Sequence, residues 1–416
     1  MKSFIFTGFL FVICSFTSFG QVYTGPISKP TSGYGSDGTY SIAIESFPNP
    51  NFPTENIRIF YPSGITSSVP TIFYSHGFGG YDPVNILGLL SFVARKGYAI
   101  VFVPYQATGV TNAQRYDNLL SGFIQAANDF PNIIDTTKVG FMGHSFGGGA
   151  TFANAYHCFT NLNWGLSGRF IFASAQWYSL NISQTQLLTF PNDVKLLTMV
   201  YENDITNDHR MANDIFNTIN IPSAEKDYLL VKSDTISSYI YEAIHGLPNT
   251  ASAFDALDYY AIYRHLDALC DYTFNGSLVG KEVALGNGSI NQVSMPSGMH
   301  NLVQSDTPNF SNPESIYTYP CSTIQNPRQN YCGEVLSINE TSTNIKIVMF
   351  PNPTTSMFYI ETDKTISQIE IFNQHGQLVK TARTKNVPIN ELSKGLYFVK
   401  ISLTDKSLII KKLIKE

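Results

Sequence analysis

The segment from residue 138 to 153 constrains the fold more than any other stretch of this sequence. An apolar run, 138–142, is followed by G-H-S-F-G at 143–147 and then by small residues as far as Ala153. This pattern predicts a buried strand, a sharp turn at Ser145 and a helix that begins at once, because glycines on both sides avoid the Cβ clashes of so tight a turn. The start of a helix favours negative charge. We therefore predict that Ser145 is a nucleophile.

The surrounding sequence alternates short apolar runs with helical patterns. After a leading hairpin at 40–62, the predicted strands are 71–74, 98–103, 138–142, 170–173, 196–200 and 228–231, and the predicted helices are 84–96, 116–129, 146–158, 211–219 and 254–270. Continuous apolar strands between amphipathic helices indicate an α/β fold, with a mostly parallel central sheet flanked by helices. Such sheets bind ligands at the carboxyl ends of their strands.

The two ends of the chain differ from the middle. Residues 1–20 have a positive start, an apolar core and a small-x-small cleavage site, which is typical of a signal peptide. We assign 21–335 to the main domain, with its core at about 40–275 and a loop-rich extension at 276–335, and 336–344 to a linker. No later apolar run reaches the ~18 residues that a membrane span requires.

Residues 345–416 consist of short β runs separated by turn signals, which predicts a small all-β sandwich after the main domain. This tail carries eleven Lys/Arg and six Asp/Glu, a balance of +5, so the rest of a chain with net charge −5 stands at −10. An acidic body argues against nucleic acid as a partner.

Four motifs in the tail resemble the type A C-terminal sorting domain of the type IX secretion system. They are F-P-N-P at 350–353, N-Q-H-G-Q-L-V at 373–379, L-S-K-G-L-Y at 392–397 and K-K-L-I-K-E at 411–416. The resemblance implies recognition by the type IX machinery, passage across the outer membrane and removal of the tail during or after export. The protein would then be secreted, either extracellular or attached to the cell surface. A carbohydrate-binding or adhesive sandwich is the alternative.

Four cysteines follow the predicted signal peptide, and an oxidising compartment favours disulfides between them. Cys321 and Cys332 bracket a short loop rich in Pro and Asn, and we predict that they pair. Cys158 and Cys270 lie near predicted helix ends, where they either pair or stay as buried thiols. No cysteine spacing resembles a zinc site. We expect neither a metal nor a cofactor.

A serine nucleophile needs a base, and the base needs an acid that orients it. Where a serine lies on such a turn, the acid follows it along the chain and the histidine follows the acid. Asp204 is the first candidate acid, because it comes directly after the strand at 196–200. Asp208 is the second and could instead cap the next helix. His245, after the last predicted strand and before the helix at 254–270, is the predicted base, and His300 is its rival.

The same chemistry needs two N–H groups that hold the negative oxygen of a tetrahedral intermediate. One is the amide of the residue after the nucleophile, here Phe146. The other comes from the glycine-rich loop at 75–80, in which Phe78 is the predicted donor.

Segments between about 40 and 275 resemble the bacterial cutinases and poly(ethylene terephthalate) hydrolases of the wider α/β-hydrolase family. The resemblance is also dienelactone-hydrolase-like. The matching segments are G-F at 77–78, G-H-S-F-G-G-G at 143–149, A-Q-W at 175–177 and E-N-D at 202–204. The resemblance implies a Ser145, Asp204, His245 triad, an oxyanion hole at Phe78 and Phe146, and a substrate wall that includes Phe78 and Trp177. Phe146 replaces a Met of that subfamily and Phe78 a common Tyr. Trp177 is equally explained as a core residue.

These observations predict a secreted serine carboxylic-ester hydrolase that works through an acyl-enzyme. No long insertion suggests a large lid, so we expect an open cleft that suits a polyester, a lipid or a cutin-like ester. One alternative is a carbohydrate esterase that removes acetyl or feruloyl groups, or a lipase, on the same fold. The other is a non-catalytic surface-binding protein.

Overall fold

The computed structural model of the protein describes residues 22–248, 254–329, 332, 347–373, 377–404 and 408–416. The chain divides into two compact units, Met1–Glu334 and Val335–Glu416. The predicted signal peptide at 1–20 and the predicted linker at 336–344 lie outside the described residues.

A mixed sheet of nine strands forms the centre of the first unit. The strands of this unit are β1 (Ile42–Pro48), β2 (Asn56–Pro62), β3 (Val69–Ser75), β4 (Ala99–Phe102), β5 (Ile134–His144), β6 (Arg169–Ser174), β7 (Lys195–Tyr201), β8 (Lys226–Val231), β9 (Asp234–Ile236), β10 (Tyr239–Tyr241) and β11 (Val303–Gln304). The order across the sheet is β1-β2-β4-β3-β5-β6-β7-β8-β11, and β9 and β10 form a separate hairpin.

The middle of the sheet is parallel from β4 through β8, and its ends are antiparallel. In register, Tyr74 of β3 pairs with Met142 of β5, and Met142 pairs with Phe172 of β6. The carboxyl ends of these strands therefore lie at one edge of the sheet, and Ser145 follows the end of β5 at that edge. Strands that are buried on both faces have continuous apolar sequences, as β4 has.

Helices cover both faces of the sheet. They are α1 (Leu87–Arg95), α2 (Asn112–Asp129), α3 (Phe146–Asn161), α4 (Gln184–Leu188), α5 (Arg210–Thr218), α6 (Arg264–Asn275), α7 (Leu278–Ala284) and α8 (Ile290–Val293), with π-helical turns at Leu257–Tyr263 running into α6. One apolar cluster joins the sheet to α1 and α6, and a second joins it to α2, α3 and α5.

Helix α2 begins four residues before the predicted start at 116. Thr111 accepts a hydrogen bond from the backbone N–H of Gln114, whose side chain accepts one from the N–H of Thr111. This capping box satisfies two N–H groups that would otherwise lack partners at the start of the helix, and it extends the helix beyond its apolar pattern.

The extension predicted to be loop-rich also contains α7, α8 and β11. Strand β11 adds to the edge of β8, with Val303 opposite Leu230. We call residues 305–329 together with Cys332 the strap. Cys321 and Cys332 are joined by a disulfide with a Cα–Cα distance of 5.6 Å, whereas Cys158 and Cys270 are buried free thiols.

The second unit is all β. Its strands are β12 (Val348–Phe350), β13 (Met357–Glu361), β14 (Ile366–Asn373), β15 (Leu378–Ala382), β16 (Asn386–Pro388), β17 (Gly395–Leu403) and β18 (Leu408–Lys415). They form sheets of order β12-β13-β16 and β15-β14-β17-β18. Side chains from both sheets, such as Phe358 and Val399, share one core. In the described part of the chain, no helix is long and apolar enough to cross a membrane.

Candidate active site

Ser145 lies at a strained turn between β5 and α3. Its φ of 56° and ψ of −122° are values that side-chain-bearing residues rarely adopt, and such strain costs on the order of 1–3 kcal/mol. The backbone N–H of Ser145 donates to Ser174 O, and Ser145 O accepts from the N–H of Trp177 at 2.7 Å. A Cβ at Gly147 would lie only 2.0 Å from Ser75 O. Close packing of the β5–α3 turn on neighbouring backbone therefore fixes the position of the serine.

Ser145, His245 and Asp204 are joined by two hydrogen bonds. Ser145 Oγ lies 2.9 Å from Nε2 of His245, and Nδ1 of His245 lies 2.8 Å from Oδ2 of Asp204. Asp204 follows β7 and His245 follows β10. The Ser145 and Asp204 side chains are buried and the His245 ring is 21% exposed. This geometry suits proton transfer from the serine to the imidazole, with the carboxylate orienting the ring.

Asp204 is held in its charged form. Its Oδ1 accepts hydrogen bonds from the N–H groups of Thr206 at 2.8 Å and Asn207 at 3.0 Å. Burial by itself would raise the pKa of Asp204, but the bond and charge of His245 together with these two N–H donors outweigh burial and hold the pKa below its usual range. A carboxylate in this state favours an imidazolium beside it.

The two rival residues lie in other interactions. Nδ1 of His300 lies 2.5 Å from Oδ1 of Asp234, and the His300 ring is 66% exposed. Asp208 forms an ion pair of 2.6 Å with Arg210, at the start of α5. Among the described residues, neither of them has a hydrogen bond to Ser145, His245 or Asp204.

The two proposed oxyanion donors lie beside the serine. Phe146 is the first residue of α3, and Phe78 lies in the loop after β3. Among the described residues, neither backbone N–H has a hydrogen-bond partner. The first N–H groups of a helix have no partner within it and are available to an anion.

His76 stabilises the loop that carries Phe78. Its Nδ1 donates to Gly77 O at 2.7 Å, its Nε2 accepts from the N–H of Tyr105 at 3.1 Å, and its ring stacks on the Tyr105 ring. Burial lowers the pKa of His76 to about 4. The ring is therefore neutral at neutral pH, which the acceptor role of Nε2 requires.

A cleft of about 180 Å³ opens over Ser145. Its lining includes Phe78, Ile86, His245 and Pro248. The Phe78 side chain is 58% exposed.

A cation supports the Phe78 side of the site. The buried Arg115 guanidinium lies 5.1 Å from the centre of the Phe78 ring and 5.9 Å from that of Phe146. Its N–H groups donate to Gln106 O and Ala107 O. Cation–π contacts of this kind stabilise a ring in one position.

Trp177 lies on another side of the serine. It is partly buried against the core that contains α3, and its ring meets the ring of Tyr319 edge to face at 5.4 Å. Tyr319 belongs to the strap and is 37% exposed. Trp177 thus combines a packing contact with a backbone hydrogen bond to Ser145 at the β5–α3 turn, and Tyr319 of the strap contacts its ring.

The strap also holds the loop that carries Asp204. The side-chain amide of Asn312 donates to Glu202 O and to Asp204 O, and the N–H of Thr318 donates to Ile205 O at 2.6 Å. These contacts join residues about a hundred positions apart, and no motif in the sequence marks them.

Asp208 and two strap residues, Glu314 and Cys321, have the spacing of metal ligands. Cys321 is in the disulfide, and Arg210 pairs with both carboxylates. The guanidinium takes the place that a cation would need, so this donor set does not fit a metal.

Comparison with known proteins defines the second unit as an export signal. Residues 348–416 match the family model of the secretion system C-terminal sorting domain. No curated protein matches the chain. The protein is therefore a cargo of type IX secretion that is secreted or exported to the cell surface, with the secretion machinery as the partner of its tail.

Proposed function

We propose that the first unit is a serine carboxylic-ester hydrolase of the α/β-hydrolase type. The observation that carries the proposal is the chain of hydrogen bonds from Ser145 through His245 to Asp204, at the start of a helix. Two further features support the same assignment. The strands of a parallel sheet end beneath this serine, and the acid and then the base follow it along the chain.

The proposed reaction has two halves. His245 Nε2 takes the proton of Ser145 as Oγ attacks the ester carbonyl, and Asp204 stabilises the resulting imidazolium. The N–H groups of Phe78 and Phe146 hold the oxyanion. His245 then protonates the leaving alcohol. Water, deprotonated by the same ring, cleaves the acyl-enzyme and frees the acid.

The size of the cleft supports a bulky or polymeric ester of the polyester or cutin kind. Pockets for drug-sized ligands usually measure ~300–1,000 Å³, whereas this cleft of about 180 Å³ holds little more than the ester and its neighbouring atoms. The exposed Phe78 side chain lines the cleft, and the exposed Tyr319 ring meets that of Trp177, whose N–H donates to Ser145 O; these apolar groups offer a surface for the rest of a chain.

Hydrolysis of p-nitrophenyl esters of increasing acyl length tests the proposal. Ser145→Ala is expected to reduce kcat/KM by ~10⁴-fold or more, as for other triad serines. His245→Ala should cause a comparable loss, and His300→Ala is the matched control, with activity within twofold of wild type.

A folded wild-type protein without esterase activity would contradict the proposal. Release of soluble products from an insoluble polyester film tests the polymer preference separately. Higher activity on acetylated or feruloylated sugars than on simple acyl esters would instead assign the carbohydrate esterase function.

A further inference from the structure

Asn207 contacts both the nucleophile and the acid of the proposed triad. It lies in the loop between β7 and α5, three residues after Asp204, and is 3% exposed. Its Nδ2 lies 3.4 Å from Ser145 Oγ, and its backbone N–H donates to Oδ1 of Asp204 at 3.0 Å. One residue therefore links the two outer members of the hydrogen-bonded chain.

The orientation of the Asn207 amide follows from its second partner. The same Nδ2 lies 2.6 Å from Ala175 O, a carbonyl oxygen that can only accept. The atom facing Ser145 is therefore the nitrogen, and it has a second hydrogen available for Oγ. Ala175 has a φ of 41°, in the left-handed region that favours glycine. Strain of this kind persists at functional sites when the surroundings hold it in place.

We propose that Asn207 is a fourth polar residue of the catalytic site, which holds Ser145 Oγ through its side-chain amide; this inference rests on the proposed function. Oγ donates its hydrogen to Nε2 of His245 and accepts from Asn207, so the hydroxyl proton is directed at the base. As the proton passes from Oγ to Nε2, negative charge develops on Oγ, and a fixed N–H donor stabilises it. The proton transfer changes no bond of Asn207.

The length of the bond sets the size of the expected effect. At 3.4 Å it is long for an N–H···O bond, and catalytic hydrogen bonds of a free enzyme often shorten only along the reaction. We therefore expect Asn207→Ala to lower kcat about tenfold, less than the ~10²–10³-fold loss from removing an oxyanion-hole donor. KM should change by less than about twofold, because the amide does not touch the substrate.

Asn49 provides a matched control. It is 1% exposed, its Nδ2 donates to Pro104 O at 2.8 Å, and its Oδ1 accepts from the N–H of Asn51. Asn49→Ala therefore removes a buried amide that serves the backbone alone. It should lower the thermal unfolding midpoint and leave kcat within about twofold of wild type.

Asn207→Asp distinguishes catalysis from packing, because it keeps the shape of the side chain. Its new carboxyl, once ionised, opposes the charge that develops on Oγ, so the deficit relative to wild type should grow as pH rises through its titration. Because ionisation also sets a carboxylate oxygen against Ala175 O, the rates are compared only at pH values where the unfolding midpoint of the variant does not change with pH. In that range a purely structural role would give a ratio of the two rates that does not depend on pH. If Asn207→Ala does not fold, the pH dependence of the Asn207→Asp rate tests the proposal in its place.

The experiment measures the rate at which a fluorophosphonate probe reacts with Ser145, beside p-nitrophenyl acetate hydrolysis, in the purified full chain. If wild type reacts but both Asn207 variants match its rate at every pH, the inference is wrong and the proposed function stands. If the folded wild type does not react with the probe at Ser145, the proposed function fails, and the inference fails with it.

Discussion

Tyr317 and His209 connect the strap to the strand that leads to Asp204. The Tyr317 hydroxyl lies 2.8 Å from Nδ1 of His209, and Nε2 of His209 lies 2.7 Å from Tyr201 O, at the end of β7. A carbonyl oxygen accepts, so Nε2 donates and Nδ1 accepts from the tyrosine. The strap is therefore bonded to the base of the loop that carries Asp204.

Removing this hydroxyl should affect both stability and activity. Tyr317→Phe leaves Nδ1 of His209 and the N–H of Asn312, which donates to the same oxygen, without a partner. Leaving buried groups unpaired costs roughly 1–3 kcal/mol. We expect a lower unfolding midpoint and a kcat reduced severalfold, measured by thermal unfolding and ester hydrolysis.

Tyr272→Phe is the control for this prediction, because the Tyr272 hydroxyl bonds Glu225 instead. It should leave kcat unchanged. Equal effects of the two variants on kcat would contradict a special role for the strap.

The Cys321–Cys332 disulfide should stabilise the first unit. It closes a loop with a sequence separation of 11, and closing a loop restricts the unfolded chain. Replacing both cysteines by serine is expected to cost about 2–4 kcal/mol. Tryptophan fluorescence in urea measures this unit alone, because both tryptophans, Trp164 and Trp177, lie in it. A reducing agent should destabilise wild type and have no effect on the double variant.

Acid should destabilise the first unit through His76. The folded-state pKa of about 4 lies below the ordinary value of 6.5, because the ring is buried. Between these values the unfolded chain binds more protons, so stability falls as pH falls, by at most ~1.4 kcal/mol per pH unit and roughly 3 kcal/mol in total.

Comparing urea unfolding at pH 7 and pH 4.5 checks this sign. His76→Gln keeps an acceptor for the Tyr105 N–H and does not titrate. Its loss of stability between the two pH values should be smaller than that of wild type, and an equal loss would count against His76 as a cause.

Gly147→Ala should abolish the proposed activity by displacing the turn. Its Cβ would lie 2.0 Å from Ser75 O and 2.4 Å from His76 O, which are backbone atoms and cannot rotate away. Gly148→Ala is the graded control, because its nearest contacts are about 3.0 Å away. Fluorophosphonate labelling should fail for the first variant and persist for the second. Equal labelling of both would show that the turn tolerates the shift.

The parts of the site that lie within a few residues of one another were accessible from the sequence. The strand, turn and helix around Ser145 were predicted from adjacent residues, although the steric demand on a glycine such as Gly147 comes from the distant Ser75 and His76 backbone. Chain order then reduced the acid to Asp204 or Asp208 and the base to His245 or His300. The hydrogen bonds that join Asp204 and His245 to each other and to Ser145 distinguish them from Asp208 and His300, and no periodicity could have done so.

Contacts between distant residues were not accessible in this way. Asn207 reaches Ser145 and Ala175, which lie 62 and 32 positions earlier in the chain. Asn312 and Tyr317 of the strap reach the loop that carries Asp204, and the strap belongs to an extension that was predicted to be loop-rich. Partners of this kind are set by how the loops pack after folding, and apolar patterning contains no information about them.

The pairing of β11 with β8 determines where this chain can be shortened. An exposed strand edge presents unpaired N–H and C=O groups on which another chain can assemble. Here Val303 and Gln304 cover the edge of β8, the N–H of Ser305 donates to Tyr228 O, and the Phe310 ring stacks on Tyr228. A fragment ending at 275 would expose that edge and aggregate, so an expression boundary for the first unit belongs beyond Cys332.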